Sequence, residues 1–292
     1  MKRQTTAFVL ACTFLLSSCS NMNTATSDSE SNQILKSQEL EQSKITQKQT
    51  QKKGEELPTL TEESPKDITP EVNKEPKIEL NYHMNSNYDI IPNNESISKK
   101  VVLLTFDDGP KDADMINGLI DILDKHQAKA IFFVNGYKVK ENPHLLKLIH
   151  DREQIIGNHS WDHVVLKNKS EAEVKQQVKD VQEIVADITG EKPVYFRAPH
   201  GAGGDVTKKV TKDNGMLYMT WSIGSLDWEM KSTDSNPAAT IIKNVTEQLH
   251  SGSNILMHEL PWTVQSLDKL LTELETRGYT FVDPRSIELQ MR

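Results

Sequence analysis

From Val101 onward the chain alternates two hydrophobic patterns. Short apolar runs read as strands: Val101-Val102-Leu103-Leu104, Ala130 to Val134, Ile155-Ile156-Gly157, Val194-Tyr195-Phe196, Met216 to Ile223, Asn254 to Met257 and Tyr279 to Val282. Between them, apolar residues recur at helical spacing. Met115, Ile116, Leu119, Ile120 and Leu123 make one stripe, and Leu145, Leu146 and Ile149, entered through Pro143, make a second. Val174, Val178, Val181, Val185 and Ile188 form a third that ends at Gly190, and Leu267, Leu270, Leu271 and Leu274 form the last. Repeated strand–helix units favour a parallel sheet, so the expected fold class is α/β. About seven such units suggest a barrel-like closure that need not be complete; a doubly wound open sheet is the alternative.

The pattern is different ahead of this region. Lys2 and Arg3 precede the run Ala7 to Leu16, which is apolar apart from Thr13 and too short for a stable membrane span. Leu16-Ser17-Ser18-Cys19 follows and resembles a bacterial lipobox, so residues 1–18 are expected to be a lipoprotein signal peptide and Cys19 the lipid attachment point. An ordinary secretory signal cut nearby is the alternative, and it too takes the chain out of the cytoplasm. Cys12 and Cys19 are the only cysteines, so the region beyond them has no internal disulfide to form. Residues 19–99 are rich in Ser, Thr, Gln, Asn, Glu and Lys, and no aromatic residue stands between Phe14 and Tyr82. Such a composition buries too little surface to offset chain entropy, which predicts a disordered polar tether. A flexible coil of roughly 80 residues has a mean span of about 50 Å. The stretch Ile78 to Ile91 is the least clear part and is open to packing on the domain edge. Residues 100–292 are then one domain, long enough for a substantial core.

Candidate chemistry collects where strands end. Thr105-Phe106-Asp107-Asp108-Gly109-Pro110 puts two adjacent carboxylates where the first strand opens into a loop. Neighbours on a strand point to opposite faces, so a sharp bend is needed for both acids to converge. Ionised side by side they repel, and a cation or a proton relieves that. His159 and His163 follow the Ile155 strand, Arg197 and His200 follow Phe196, Asp227 and Trp228 follow the Trp221 strand, and His258 follows Met257. A His-x-x-x-His spacing alone says little. With Asp108 it makes a two-histidine, one-carboxylate set that leaves positions open for water and substrate. Such nitrogen and oxygen ligands suit one divalent ion, zinc best, with cobalt, manganese or nickel able to substitute.

These motifs, Thr-Phe-Asp-Asp-Gly-Pro, His-Ser-x-x-His, Arg-x-Pro, Leu-Asp-Trp and Leu-x-His in this order, resemble the five motifs of the polysaccharide deacetylases. That group is the NodB-homology domain, carbohydrate esterase family 4, and the resemblance covers roughly Lys100 to Glu288. It implies a distorted, incomplete (β/α) barrel and removal of N- or O-acetyl groups from polysaccharides with a divalent metal. By the same resemblance Asp108, His159 and His163 hold the metal, and Asp107 is the general base. His258 is the general acid, Asp227 keeps it protonated, and Arg197 holds the Asp107 carboxylate. The backbone N–H of His200 meets the oxyanion, and Trp228 and Leu256 wall the acetyl pocket. Two positions depart from the pattern. Many relatives have an aromatic residue where His200 stands, which puts contacts to the sugar in doubt, and an acid where Gly224 stands.

A formal net charge of −8 argues against a nucleic-acid partner and against a basic membrane-binding face. A tethered deacetylase outside the membrane points to a cell-envelope glycan. N-acetylglucosamine of peptidoglycan is the first expectation, chitin-like or exopolysaccharide polymers of N-acetylglucosamine the next, and acetylxylan a weaker one. The expected localisation is extracytoplasmic, lipid-anchored and facing the cell wall, and the chain is expected to be a monomer. A glycan-binding lipoprotein without catalysis is the competing class; the filled metal, base and acid positions count against it.

Overall fold

A computed structural model of the protein describes residues 78–292. The expected signal peptide, Cys19 and the tether as far as residue 77 lie outside the described residues. Strands β1 (Tyr82–Met84), β2 (Ile90–Pro92) and β3 (Val101–Gly109) lead into helix α1 (Ala113–Lys125). Next come β4 (Ala130–Val134), α2 (Gly136–Glu141), α3 (Pro143–Asp151), β5 (Ile155–Asn158) and α4 (Glu171–Thr189). Strand β6 (Tyr195–Phe196), α5 (Gly204–Asp213), β7 (Leu217–Tyr218) and β8 (Ile223–Gly224) follow. Helix α6 (Pro237–Gln248), β9 (Ser253–His258), α7 (Pro261–Thr276), β10 (Thr280–Phe281) and β11 (Ile287–Met291) complete the order.

The main sheet runs β7-β6-β5-β4-β3-β9-β8, with β10 added on β3, and its pairings are parallel. Side-chain alternation along each strand sorts residues into two cores. On the outer face Val102, Leu104 and Phe106 pack with Ile116, Leu119, Ile120 and Leu123 of α1 and Leu267, Leu270, Leu271 and Leu274 of α7. On the inner face Val101 and Leu103 meet Ile131, Phe133, Tyr195, Leu217 and Met219. Both faces are apolar because both are covered, which is why these strands read as continuous apolar runs. The inner column of β3 continues through Thr105 to Asp107, so the alternation that builds the core also delivers an acid to the mouth of the half-barrel.

The structure corrects two expectations. The stretch Met216 to Ile223 is two strands at opposite edges of the sheet, β7 and β8, and the chain crosses the barrel's open side between Tyr218 and Ile223. An apolar run conceals such a crossing because its residues stay buried on both sides of it. The boundary expected at residue 99 also moves. β1 and β2 form an antiparallel pair, β1 pairs with β11, and Met84 and Ile90 are buried in the inner core. Too few apolar residues surround them in sequence to offset chain entropy locally; a strand more than 190 positions away supplies the partner. Helices α5 and α6 were not anticipated. In α5 the buried face includes Thr207 and Thr211, whose hydroxyls bond the Gly203 and Thr207 carbonyls, so polar letters conceal the stripe.

Candidate active site

At the end of β3 the backbone supplies the bend that two adjacent acids require. Asp108 has φ 66°, the left-handed region, which turns its carboxylate back toward the face that Asp107 already occupies. His159 follows β5, and the loop after it takes two more left-handed residues, Ser160 at φ 66° and His163 at φ 55°, so both imidazoles swing to one side. Asn158 fixes that loop: its amide donates to the Val178 carbonyl of α4 at 2.9 Å and its carbonyl oxygen accepts from Ser160 N at 3.0 Å. The His-x-x-x-His pair therefore lies on a tight loop, not on a helical turn.

One ligand atom from each of Asp108, His159 and His163 lies within 4.8 Å of the others. His159 Nδ1 stands 2.8 Å from the Arg197 carbonyl, which can only accept, so the ring proton is there and Nε2 carries a lone pair. That Nε2 faces Asp108 Oδ1 at 3.2 Å, and His163 Nε2 faces the same oxygen at 2.9 Å. Despite this crowding, Asp108 Oδ1 is buried and accepts no well-formed hydrogen bond. Burial alone would raise the Asp108 carboxyl; with both imidazoles protonated their contacts and charges outweigh it and hold it far below the usual carboxylate range, and with them neutral that part falls to a bound cation. Lone pairs converging in this way are the donor set of a cation, and two nitrogens with one oxygen suit a divalent transition metal. The residues present fit the ion expected from the sequence.

Asp107 stands beside this set, with its Oδ2 3.7 Å from His159 Nε2. Its other oxygen accepts from Arg197 Nη1 at 2.7 Å. Arg197 is fully buried and its remaining donors are spent on Thr105 Oγ1, the Thr220 carbonyl and Asn254 Oδ1, while its guanidinium lies over the Phe133 ring at 4.4 Å. Across the sheet, Asp107 on β3 pairs in register with His258 on β9. Partners in a parallel register share a face, so an acid and an imidazole meet at the barrel mouth.

His258 is held by Asp227, which is fully buried. Asp227 Oδ1 lies 2.7 Å from His258 Nδ1, and Oδ2 accepts from His258 N and Thr263 Oγ1, each at 2.7 Å. The imidazole's second nitrogen is thereby directed away from Asp227. Burial opposes the imidazolium, but contact with Asp227, helped by Asp107 and Asp108, outweighs it and raises His258 above the ordinary histidine value. A raised value keeps the acid form at higher pH. Asp227→Asn is expected to lower turnover on the order of 10²-fold and to move the high-pH limb of the pH–rate profile to lower pH. A profile that keeps its high-pH limb in place would separate Asp227 from this role.

The polysaccharide deacetylase family model matches residues 94–219. The peptidoglycan-N-acetylmuramic acid deacetylase PdaA of Bacillus subtilis is 33% identical over 198 residues, covering 66% of this chain and 74% of that one. The chain belongs to the polysaccharide deacetylase family. The peptidoglycan-N-acetylglucosamine deacetylase PgdA of Listeria monocytogenes is 38% identical over 186 residues, 63% of this chain, and the match spans only 38% of that relative's length. Among solved structures, a family 4 carbohydrate esterase pseudoenzyme from Bacillus anthracis superposes with a TM-score of 0.59 at 30% identity, covering 63% of each chain.

Since a pseudoenzyme keeps this fold, the remaining deacetylase-family positions matter here. Leu256 is buried on the inner face of β9, in register with Thr105. Trp228 is 41% exposed and meets His258 edge-on, with ring centroids 5.4 Å apart. Gly224 permits this placement, because a Cβ there would come within 3.1 Å of the Trp228 ring. His200 is exposed, in a left-handed turn at φ 57°, with its ring 4.7 Å from that of His163. The ten expected residues thus gather around the ends of β3, β5, β6, β8 and β9, with Arg197 and Asp227 fully buried behind Asp107 and His258. Trp262 is half-buried and donates its indole N–H to the Asp227 carbonyl at 2.7 Å, so it supports the acid from beneath. Sequence reasoning missed four residues that touch the site: Thr105, Asn254, Lys138 and Glu259. Lys138 Nζ donates to the Asp108 carbonyl at 2.6 Å; burial, with Lys111 nearby, draws its ammonium below the usual lysine value. Burial pushes the Glu259 carboxyl up to about 7, against the backbone N–H of Lys111 and the charges of Lys111 and Lys138. An acid directly after His258 was the available sign of Glu259; Lys138 was one lysine among many.

Proposed function

We propose that this chain is a metal-dependent hydrolase that removes N-acetyl groups from a cell-envelope glycan, most specifically N-acetylglucosamine of peptidoglycan, and releases acetate. What carries this reading is the register of Asp107 with His258 across β3 and β9, beside the donor set of Asp108, His159 and His163. Amide hydrolysis needs a base for the attacking water and an acid for the leaving nitrogen, and both are present on one face.

A divalent ion bound by Asp108, His159 and His163, zinc being the first choice, would lower the pKa of a water and polarise the acetyl carbonyl. Asp107 takes the proton from the attacking water. Arg197 keeps that carboxylate in place through a charge-assisted bond of 2.7 Å. The backbone N–H of His200 donates to the developing oxyanion. His258 then gives its proton to the departing amine, oriented by Asp227, and Trp228 with Leu256 encloses the acetyl methyl. The names of the Listeria and Bacillus relatives support a peptidoglycan substrate. Leu16-Ser17-Ser18-Cys19 and the polar stretch after it support a lipid anchor on Cys19 and a tether reaching the wall.

The test is acetate release by purified protein, with divalent ion supplied, from peptidoglycan, from N-acetylglucosamine oligomers and from N-acetylmuramic acid glycan. Acetate appearing in step with free amine is expected, fastest on peptidoglycan glucosamine. Failure to release acetate from every N-acetylated glycan would favour a glycan-binding lipoprotein, and release only from an O-acetylated control would reassign the bond.

A further inference from the structure

The turn that aims both carboxylates is gripped from behind by two ionisable side chains outside the family motifs. A left-handed conformation is unfavourable for a non-glycine residue and persists where its surroundings over-determine it. Around Asp108 successive peptide groups are each held. Lys138 Nζ, reaching from α2, donates to the Asp108 carbonyl at 2.6 Å. Asn135 N donates to the Gly109 carbonyl at 2.9 Å. Glu259, only 1% exposed, accepts from Lys111 N at 2.9 Å through Oε2. Its Oε1 lies so close to Gly109 that a Cβ there would come within 1.9 Å of it. Two of these three grips draw an ionisable group out of water, where an apolar residue would fill space at lower cost. Their contacts go to the turn's backbone and not to the cleft.

We propose that Lys138 and Glu259 are positioning residues for the metal centre, locking the turn from Asp107 to Lys111 so that Asp108 meets His159 and His163 while Asp107 stays free beside them. The inference rests on the metal-dependent reading above. It assigns Glu259 the backbone of Lys111 and the packing over Gly109, and Lys138 the orientation of the Asp108 peptide. A carboxamide at 259 keeps both the acceptor and the shape, so Glu259→Gln should serve where Glu259→Ala does not.

The test is divalent-ion affinity of the full chain, measured with zinc by chelator competition and with cobalt by its visible spectrum. Glu259→Ala and Lys138→Met are expected to weaken affinity by about 10- to 100-fold and to alter the cobalt spectrum, while metal-free melting temperatures stay close to wild type. Glu259→Gln is expected to return affinity to within a few-fold of wild type. Unchanged affinity and spectrum in both Glu259→Ala and Lys138→Met would overturn the proposal while leaving the metal reading intact. So would a Glu259→Gln variant as weak as Glu259→Ala. A wild-type protein that binds neither ion would overturn the metal reading itself, and this inference with it.

Discussion

Asp107→Asn is expected to lower kcat on the order of 10²–10⁴-fold while leaving divalent-ion affinity within a few-fold of wild type. The amide keeps the shape of the carboxylate but cannot take a proton from water. Asp107 is not in the three-residue donor set, which is why binding and turnover should separate. His159→Ala, by contrast, removes a donor and should lose both together. The same substitution at 107 also deprives Arg197 of its only anionic partner at hydrogen-bond range among the described residues. A modest loss of stability is therefore expected alongside, and the kinetics belong at a temperature where circular dichroism shows the variant folded. Near-wild-type turnover in Asp107→Asn would remove the base assignment.

The second large effect concerns Arg197. Arg197→Met is expected to destabilise the domain by about 3–5 kcal/mol, because it leaves the Asp107 carboxylate buried without its cation and strips donors from the Thr220 carbonyl and Thr105. For a domain of this size that corresponds to a drop of roughly 10 °C in Tm. The residue ties β3, the end of β6, the crossing between β7 and β8, and β9 to one centre, so its loss should be felt at the barrel's open side first. Thermal unfolding followed by circular dichroism measures this directly. A change under 1 kcal/mol would mean that Asp107 finds another partner and that Arg197 is dispensable to the fold.

Strands such as Ala130 to Val134 and Asn254 to Met257 were legible because a covered parallel sheet makes both faces apolar, and α1, α4 and α7 because each buries one continuous stripe. The donor set was legible for a different reason. Asp108, His159 and His163 each follow an apolar run, and strand ends of such a sheet meet at one mouth. What escaped the sequence depends on distant partners. β1 and β2 are ordered by β11, from the far end of the chain. The two halves of Met216 to Ile223 belong to opposite sheet edges, set by pairing with β6 and β9. Lys138 and Glu259 act on backbone groups of residues 108–111, and no spacing within the chain records a side chain bonding to a peptide elsewhere. The bend at Asp108 was required by two adjacent acids converging, and the backbone meets that requirement with a left-handed residue.

The most direct measurement is acetate release from peptidoglycan by chelator-treated protein as zinc is titrated back. Release should be at background without metal, rise in proportion to added zinc and level off at one equivalent, with His163→Ala showing no such plateau. Equal release from the metal-free and the zinc-loaded protein would contradict the account.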